Sequence, residues 1–138
     1  MEISKNEIGS FIPQRAPFIM VDHLLKAGDD VYETEFYIDA GNIFVEEGLL
    51  REFALLENIA QSCSAGIAFN NSKLREKTVE GFIGAISKLV LYELPRVNDT
   101  IRTRVQLLAH LNNMYLLKGE CFANGVRLIE CEMKLAGK

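Results

Sequence analysis

The second half of the chain shows a regular alternation of apolar and polar residues. Within residues 100–110, apolar side chains such as Ile101 and Val105 alternate with charged or amide side chains, which is typical of a strand with one dry and one wet face. Asn-Asn and Asn-Gly pairs, both typical of tight turns, follow at residues 112–113 and 124–125. The pattern predicts consecutive antiparallel hairpins, with strands over residues 81–91, 100–110, 114–122 and 126–135.

The first half predicts two further strands and a short helix. Residues 18–25 form an apolar run and residues 31–38 alternate, with a glycine and two aspartates between them that indicate a turn. Ser4 and Glu7 have the spacing of a capping box, which predicts a short helix that ends before Pro13.

Residues 47–70 predict one long helix, because Ala, Leu, Glu and Gln dominate and proline is absent. The apolar residues are not confined to one stripe, since Leu55 and Ile59 lie outside the stripe that contains Phe53 and Leu56. Such a helix has to be covered on most sides, and the predicted sheet is the only element large enough to cover it. We expect an α+β architecture in which residues 1–138 form a single domain.

Composition excludes several classes of protein. The chain has 138 residues, 49% of them hydrophobic and 25% charged, and a net charge of −4 without long runs of like charge, so we expect no nucleic-acid partner. The longest uncharged stretch, residues 58–72, is shorter than the roughly 18 apolar residues of a membrane span. The start of the chain lacks the pattern of a secretory signal, so we expect a cytoplasmic protein.

The three cysteines fit neither a disulfide framework nor a metal site. They are odd in number and none forms a Cys-x-x-Cys pair. We interpret them as small, reduced core residues and predict neither a metal nor a cofactor.

Glu57 is the one residue of the predicted helix that suggests chemistry. It is a carboxylate flanked by Leu55, Leu56 and Ile59, and Gln61 lies one turn away on the same face, within hydrogen-bonding reach. A carboxyl group in apolar surroundings can give or take a proton. The alternative, that Glu57 simply faces water or an arginine, fits the spacing equally well.

Three segments, taken in order, resemble the hot-dog-fold dehydratases that act on 3-hydroxyacyl thioesters of acyl carrier protein. Residues 12–22, IPQRAPFIMVD, resemble the opening Pro-x-Arg-x-Pro-Phe motif of that family. Residues 56–61, LENIAQ, are similar to its central-helix signature, and residues 82–87, FIGAIS, to the strand that follows. The resemblance implies the hot-dog fold, a long central helix wrapped by a curled antiparallel sheet of five or six strands.

The resemblance also implies roles for individual residues. Glu57 would protonate the leaving 3-hydroxyl, Gln61 would orient Glu57 or a water, and the backbone near Gly84 and Ala85 would polarise the thioester carbonyl. In the family the site forms across a dimer, beside a tunnel for the acyl chain. The aromatic residues expected to line that tunnel are Phe44, Phe53 and Phe82.

The loop before the helix departs from the family pattern. Where the family carries a catalytic histidine in a Gly-His-Phe-Pro-Gly type loop, this chain has Gly41-Asn42-Ile43-Phe44. Asn42 could hold a substrate oxygen or a water, but a neutral amide cannot accept a proton as imidazole does. The two histidines, His23 and His110, are expected to have structural roles, with His23 as a displaced base the alternative.

The leading prediction is a hydro-lyase, a 3-hydroxyacyl thioester dehydratase-like protein of fatty-acid or polyene-type lipid biosynthesis. Its partners would be acyl carrier protein or another acyl thioester, and it would form a homodimer or a larger assembly of dimers. Two alternatives stay open. One is a hot-dog thioesterase that uses Glu57, Gln61 and Asn42 without histidine, and the other is a non-catalytic acyl-binding subunit that pairs with an active homologue.

Overall fold

The predicted sheet has six strands in the computed structural model, which describes residues 1–73 and 81–137. All neighbours are antiparallel, in the order β1-β2-β6-β7-β8-β5, and β3 pairs only with β4. The strands are β1 (His23–Ala27), β2 (Val31–Tyr37), β3 (Val45–Glu46), β4 (Leu49–Leu50), β5 (Gly81–Leu91), β6 (Thr100–Leu111), β7 (Met114–Ala123) and β8 (Val126–Gly137).

The hairpins of the second half are confirmed for β6, β7 and β8. Asn124 and Gly125 both have positive φ, 53° and 75°, as a type I′ turn requires. The predicted hairpin between β5 and β6 is wrong, because β5 pairs with β8 at the edge of the sheet and β6 pairs with β2. The connection from β5 to β6 is bound to β4 instead, where the Leu50 N–H donates to the Pro95 carbonyl at 2.9 Å.

The long helix, α1 (Glu52–Lys73), lies against one face of the sheet. Every residue from 58 to 68 is buried, which confirms the expectation of a helix covered on most sides. The sheet curls over α1 without closing around it, and Phe53 near the N-terminus of the helix is 54% exposed. Together these elements form the predicted α+β hot-dog fold.

The helix starts at Glu52 rather than at residue 47. Glu47 and Gly48 have φ values of 53° and 77°, which place both in the left-handed region and form the turn between β3 and β4. The composition of residues 47–51 suits a helix, but this short hairpin determines their conformation.

The predicted strand over residues 18–25 is also shifted, since β1 begins at His23. The preceding backbone is bound by helix side chains instead of by a strand. The Met20 N–H donates to Gln61 Oε1 at 2.7 Å, and the Met20 carbonyl accepts from Asn58 Nδ2 at 2.7 Å. With both backbone groups of Met20 satisfied by α1, this segment has no need of a strand partner.

The short N-terminal helix is a single 3-10 turn, Ile8–Ser10. The Ser4 hydroxyl donates to the Glu7 carboxylate at 2.8 Å, and the turn has no side-chain cap hydrogen bond of the kind that a capping box provides. The Ser4 backbone carbonyl accepts the N–H groups of Glu7 and Ile8 instead, and Ile8 is buried in the core.

The three cysteines are buried and free. Burial raises the pKa of Cys121 to about 12 and that of Cys131 to about 11, and it also raises the pKa of Cys63. All three thiols are therefore neutral at physiological pH, as the core interpretation predicted. Within the described part of the chain, no helix combines the length and apolarity that crossing a membrane requires.

Close packing between α1 and the sheet leaves no space for a side chain at Gly66. A Cβ atom there would overlap the ring of Tyr32, which is 2% exposed. We expect Gly66→Ala to destabilise the protein by about 1–3 kcal/mol, because the buried ring has to move. Urea unfolding at fixed protein concentration measures this change, and Gly9→Ala, which has nothing within 4 Å, is the matched control. Equal stability of the two variants would contradict the packing.

Candidate functional site

A cavity of about 500 Å³ opens beside the first half of α1. Among the described residues that line it, Glu57 is the only ionisable one, and its side chain is partly buried. The lining residues are Pro13, Gln14, Phe53, Leu56, Glu57, Ala60, Phe82, Ile83 and Ile86.

Three elements build this cavity. Helical spacing places Phe53, Glu57 and Ala60 on one face of α1, because residues three and four apart are neighbours on a helix. The edge strand β5 forms the opposite wall with Phe82 and its neighbours, and the loop at residues 13–14 forms a third side. The result is an apolar slot with a carboxyl group in its wall, the arrangement that small apolar guests favour.

Gln61 connects Glu57 to the rest of the fold. Its Nε2 donates to the Phe18 carbonyl at 2.9 Å and to Glu57 Oε2 at 3.3 Å, while its Oε1 accepts the Met20 N–H. The amide of Gln61 is fixed by the backbone on two sides, so its donor to Glu57 is held in place. The predicted contact between the two residues is present.

A buried polar network lies beneath this contact. Asn58, which is fully buried, binds the Met20 carbonyl through Nδ2 and accepts from the Thr103 hydroxyl through Oδ1. The Ser62 hydroxyl, which pairs with Thr34 at 2.7 Å, donates to the Asn58 carbonyl. The network links the helix, the 18–20 segment and the sheet at the level of Glu57.

Only some of the predicted site residues meet in one chain. Phe53 and Phe82 line the Glu57 cavity, and Phe44 contacts Phe53 with ring centroids 5.3 Å apart. Gly84 and Ala85 lie on β5 between the lining residues Ile83 and Ile86, at an irregularity in the pairing with β8, but they are not themselves among the lining residues.

Asn42 lies outside the Glu57 cavity. It lines a separate cavity of about 370 Å³ together with Asp22 and Asp39. Its Oδ1 accepts the Phe44 N–H at 2.8 Å, which stabilises the loop before β3. Within a single chain, Asn42 therefore does not line the cavity that contains Glu57.

Neither histidine lines the Glu57 cavity. Nδ1 of His23 lies 3.1 Å from the Lys5 backbone N–H and accepts it, and His110 stacks on Tyr115 with ring centroids 4.1 Å apart. Both contacts agree with the structural roles expected from the sequence.

Sequence reasoning assigned no site role to Gln14 or Asn58. Gln14 occupies a variable position of the Pro-x-Arg-x-Pro motif, so the motif itself gives no reason to select it. The sequence does indicate a structural role for Asn58, since an amide within an apolar helix needs a buried hydrogen-bond partner. Its partners, Thr103 and the Met20 backbone, are distant in sequence and become evident only in the fold.

A family model described as ApeP dehydratase matches residues 6–137. No curated protein sequence matches the chain. The chain is similar in structure to a protein of the dehydratase heterocomplex ApeI:P from Xenorhabdus doucetiae, with a TM-score of 0.89, 13% identity, and coverage of 95% of this chain and 90% of that one.

Two further solved structures are also similar. A hypothetical thioesterase from Streptococcus pneumoniae with coenzyme A has a TM-score of 0.66 at 8% identity, covering 84% of this chain and 87% of that one. The Escherichia coli PaaI protein of the phenylacetic acid degradation operon has a TM-score of 0.65 at 7% identity, covering 82% and 80%. At such identities these likenesses show a shared hot-dog fold.

Asn58 offers a test of the network that supports the site. We expect Asn58→Ala to destabilise the protein by about 1–3 kcal/mol, because the variant leaves buried partners such as the Met20 carbonyl unpaired. Chemical unfolding measures the loss, and the exposed Asn6→Ala is the control. If both variants unfold alike, the network does not support the 18–20 segment.

Proposed function

Because the chain belongs to the ApeP-like dehydratase family, we propose that it takes part in the dehydration of 3-hydroxyacyl thioesters and supplies the acid of that reaction. The observation that carries the proposal is Glu57, the one ionisable group among the described lining residues of an apolar cavity. An acyl chain would lie against Phe53 and Phe82, with its 3-hydroxyl near the carboxyl group.

The elimination needs an acid and a base. A base removes a proton from the carbon next to the thioester carbonyl, the double bond forms, and the 3-hydroxyl leaves as water with a proton from the Glu57 carboxyl. Gln61 positions Glu57, and a backbone N–H near Gly84 or Ala85 polarises the carbonyl. This chain provides the acid but has no histidine in the loop that carries Asn42.

A second hot-dog chain could supply the missing base. In the proposed assembly, the loop before the helix of one subunit faces Glu57 of the other. A symmetric dimer would then place Asn42 opposite Glu57, whereas a partner with a histidine in that loop would complete the acid–base pair. The similarity to a protein of a dehydratase heterocomplex supports a mixed assembly of this kind.

The edge strand β5 is the surface proposed for this assembly. Within the described chain it pairs with β8 alone, and its other edge has no strand neighbour. It carries exposed apolar residues, including Ile86, Leu89 and Val90, which a soluble edge strand normally avoids. Because β5 is also a wall of the cavity, a chain added there would lie beside Glu57.

Thioester hydrolysis is the second candidate, and one contact favours it. The Gln61 amide donates to Glu57 Oε2 and fixes the direction of that side chain. A carboxylate held in this way can act as a base or nucleophile toward a thioester carbonyl, which requires no histidine. A third role, a silent acyl-binding subunit, would leave the chemistry entirely to the partner.

The setting of the reaction follows from the same proposal. We place the protein in acyl chain assembly of the fatty-acid or polyene type, in the cytoplasm, with acyl carrier protein delivering the substrate. The carrier would present the thioester at the open mouth of the Glu57 cavity.

Glu57→Gln tests the acid directly. In the assembly that forms enoyl product, we expect the rate of enoyl formation to fall by about a hundredfold or more, because the amide cannot donate a carboxyl proton. Enoyl formation from 3-hydroxyacyl thioesters and thiol release from saturated ones are followed in parallel, with Glu52→Gln on the same helix as the control. Unchanged turnover would support the silent subunit, and thiol release without enoyl product would support the thioesterase.

Asn42→His tests the missing base. If a symmetric dimer lacks only this group, we expect the purified variant to form enoyl product at least about tenfold faster than the parent chain. The gain should appear as pH rises through about 6.5, because only neutral imidazole accepts a proton. Asn42→Gln, which adds no base, should show no gain. Equal rates for both variants would contradict the placement of this loop opposite Glu57.

A further inference from the structure

Gln14 carries an unpaired polar atom beside the Glu57 cavity. Its Oε1 is the only buried side-chain nitrogen or oxygen without a hydrogen-bond partner among residues 1–73 and 81–137. The residue itself lines the cavity next to Glu57. Leaving a buried acceptor unpaired costs about 1–3 kcal/mol, so a rotation of the amide that brings Oε1 to a donor in the cavity would be favourable.

The backbone around Gln14 is fixed, so the side chain is presented from a rigid loop. The Arg15 guanidinium donates to the carbonyls of Ile12 and Gln14, each at 2.8 Å. The Phe18 N–H closes the turn onto the Arg15 carbonyl at 2.8 Å. The terminal torsion of a glutamine is broad, so its amide can turn toward the cavity while the loop stays in place.

We propose that Gln14 recognises the 3-hydroxyl of the substrate through a hydrogen bond. Gln14 Oε1 accepts the hydroxyl proton in a hydrogen bond, which directs a lone pair of the hydroxyl oxygen toward the Glu57 carboxyl. In the elimination, Glu57 donates its proton to that oxygen, the bond between carbon 3 and oxygen breaks, and Gln14 holds the departing water. This inference rests on the proposed dehydratase function and assigns a specificity-determining residue to it.

The cavity lining favours a substrate that carries a hydroxyl donor at carbon 3. The side chains of Phe53, Phe82 and Ile86 offer nothing that a hydroxyl could bind, and among the described lining residues Gln14 and Glu57 are the ones with polar side chains. A saturated acyl chain has no donor at carbon 3 and would leave Gln14 unpaired. The cavity should therefore prefer 3-hydroxyacyl over saturated chains of equal length.

Binding of stable analogues tests the proposal without turnover. The probes are pantetheine thioethers that carry a 3-hydroxyoctyl chain or an octyl chain, so that both present the same arm and differ only in the hydroxyl group. Calorimetry on the full-length chain, in the oligomer that it forms in solution, gives the ratio of the two dissociation constants. We expect wild type to favour the hydroxylated probe by about three- to tenfold.

Substitutions of Gln14 separate the hydrogen bond from packing. Gln14→Met keeps the length of the side chain but removes the acceptor, and we expect it to abolish the preference for the hydroxylated probe. Gln14→Glu retains an acceptor and should retain the preference. Gln106→Met, in β6 outside the cavity lining, is the control for the substitution itself, and equal melting temperatures exclude a folding defect.

The outcomes distinguish this inference from the proposed function. A hydroxyl preference that persists in Gln14→Met, or octyl and hydroxyoctyl binding of equal strength in wild type, would overturn the role of Gln14 and leave the acyl site intact. If wild type binds neither probe, both the site and the role of Gln14 are wrong.

Discussion

The structure around the cavity depends on two amide side chains of α1 that bind a segment of backbone. Asn58 and Gln61 together satisfy the N–H and carbonyl of Met20 and the carbonyl of Phe18. Unpaired backbone groups would be costly at Met20, which is fully buried. These hydrogen bonds fix the path of the chain from the Pro13–Gln14 side of the cavity to β1, and they leave Gln61 oriented toward Glu57.

This arrangement explains how one carboxyl group can face an apolar cavity without disrupting the core. The polar side chains next to Glu57 form hydrogen bonds with one another and with the backbone. Among the described lining residues, Glu57 and Gln14 are therefore the ones that present polar side chains to the cavity. Thr103 and Thr34, which bind Asn58 and Ser62, close the network on the sheet side. The helix therefore combines a buried structural function, carried by residues 58 and 61, with the proposed chemistry of residue 57.

Local patterns predicted the parts of the fold that local rules govern. The Asn124-Gly125 turn and the alternation of β2 and β6 follow from backbone geometry and one-sided burial, and both are present. The pairing of β5 with β8 was missed, because chain order does not determine which strands are neighbours in a sheet. The segment at residues 18–22 was assigned to a strand because its apolar run gives no sign that helix amides will bind its backbone.

The site also has features that local patterns predict and features that depend on the folded chain. The contact between Glu57 and Gln61 follows from helical spacing and was predicted, whereas the role of Gln14 depends on a loop that meets α1 only in the folded chain. Within one chain Asn42 lies in a separate cavity from Glu57, and its proposed place opposite Glu57 depends on an assembly, which no pattern within one chain describes.

The charges on the sheet bear on the form of that assembly. On the face turned away from α1, Arg127 pairs with Glu120 and Glu130 at 3.2 and 3.1 Å, and Lys88 pairs with Glu132 at 3.0 Å. Covering these charges with another sheet would remove them from water, a cost that ion pairs seldom repay. β5 carries a run of exposed apolar residues, Leu89, Val90 and Leu91, next to Ile86. Association at that edge would bury this apolar surface, leave the Arg127 ion pairs solvated and extend the sheet, so the charge pattern favours the same strand that forms a wall of the Glu57 cavity.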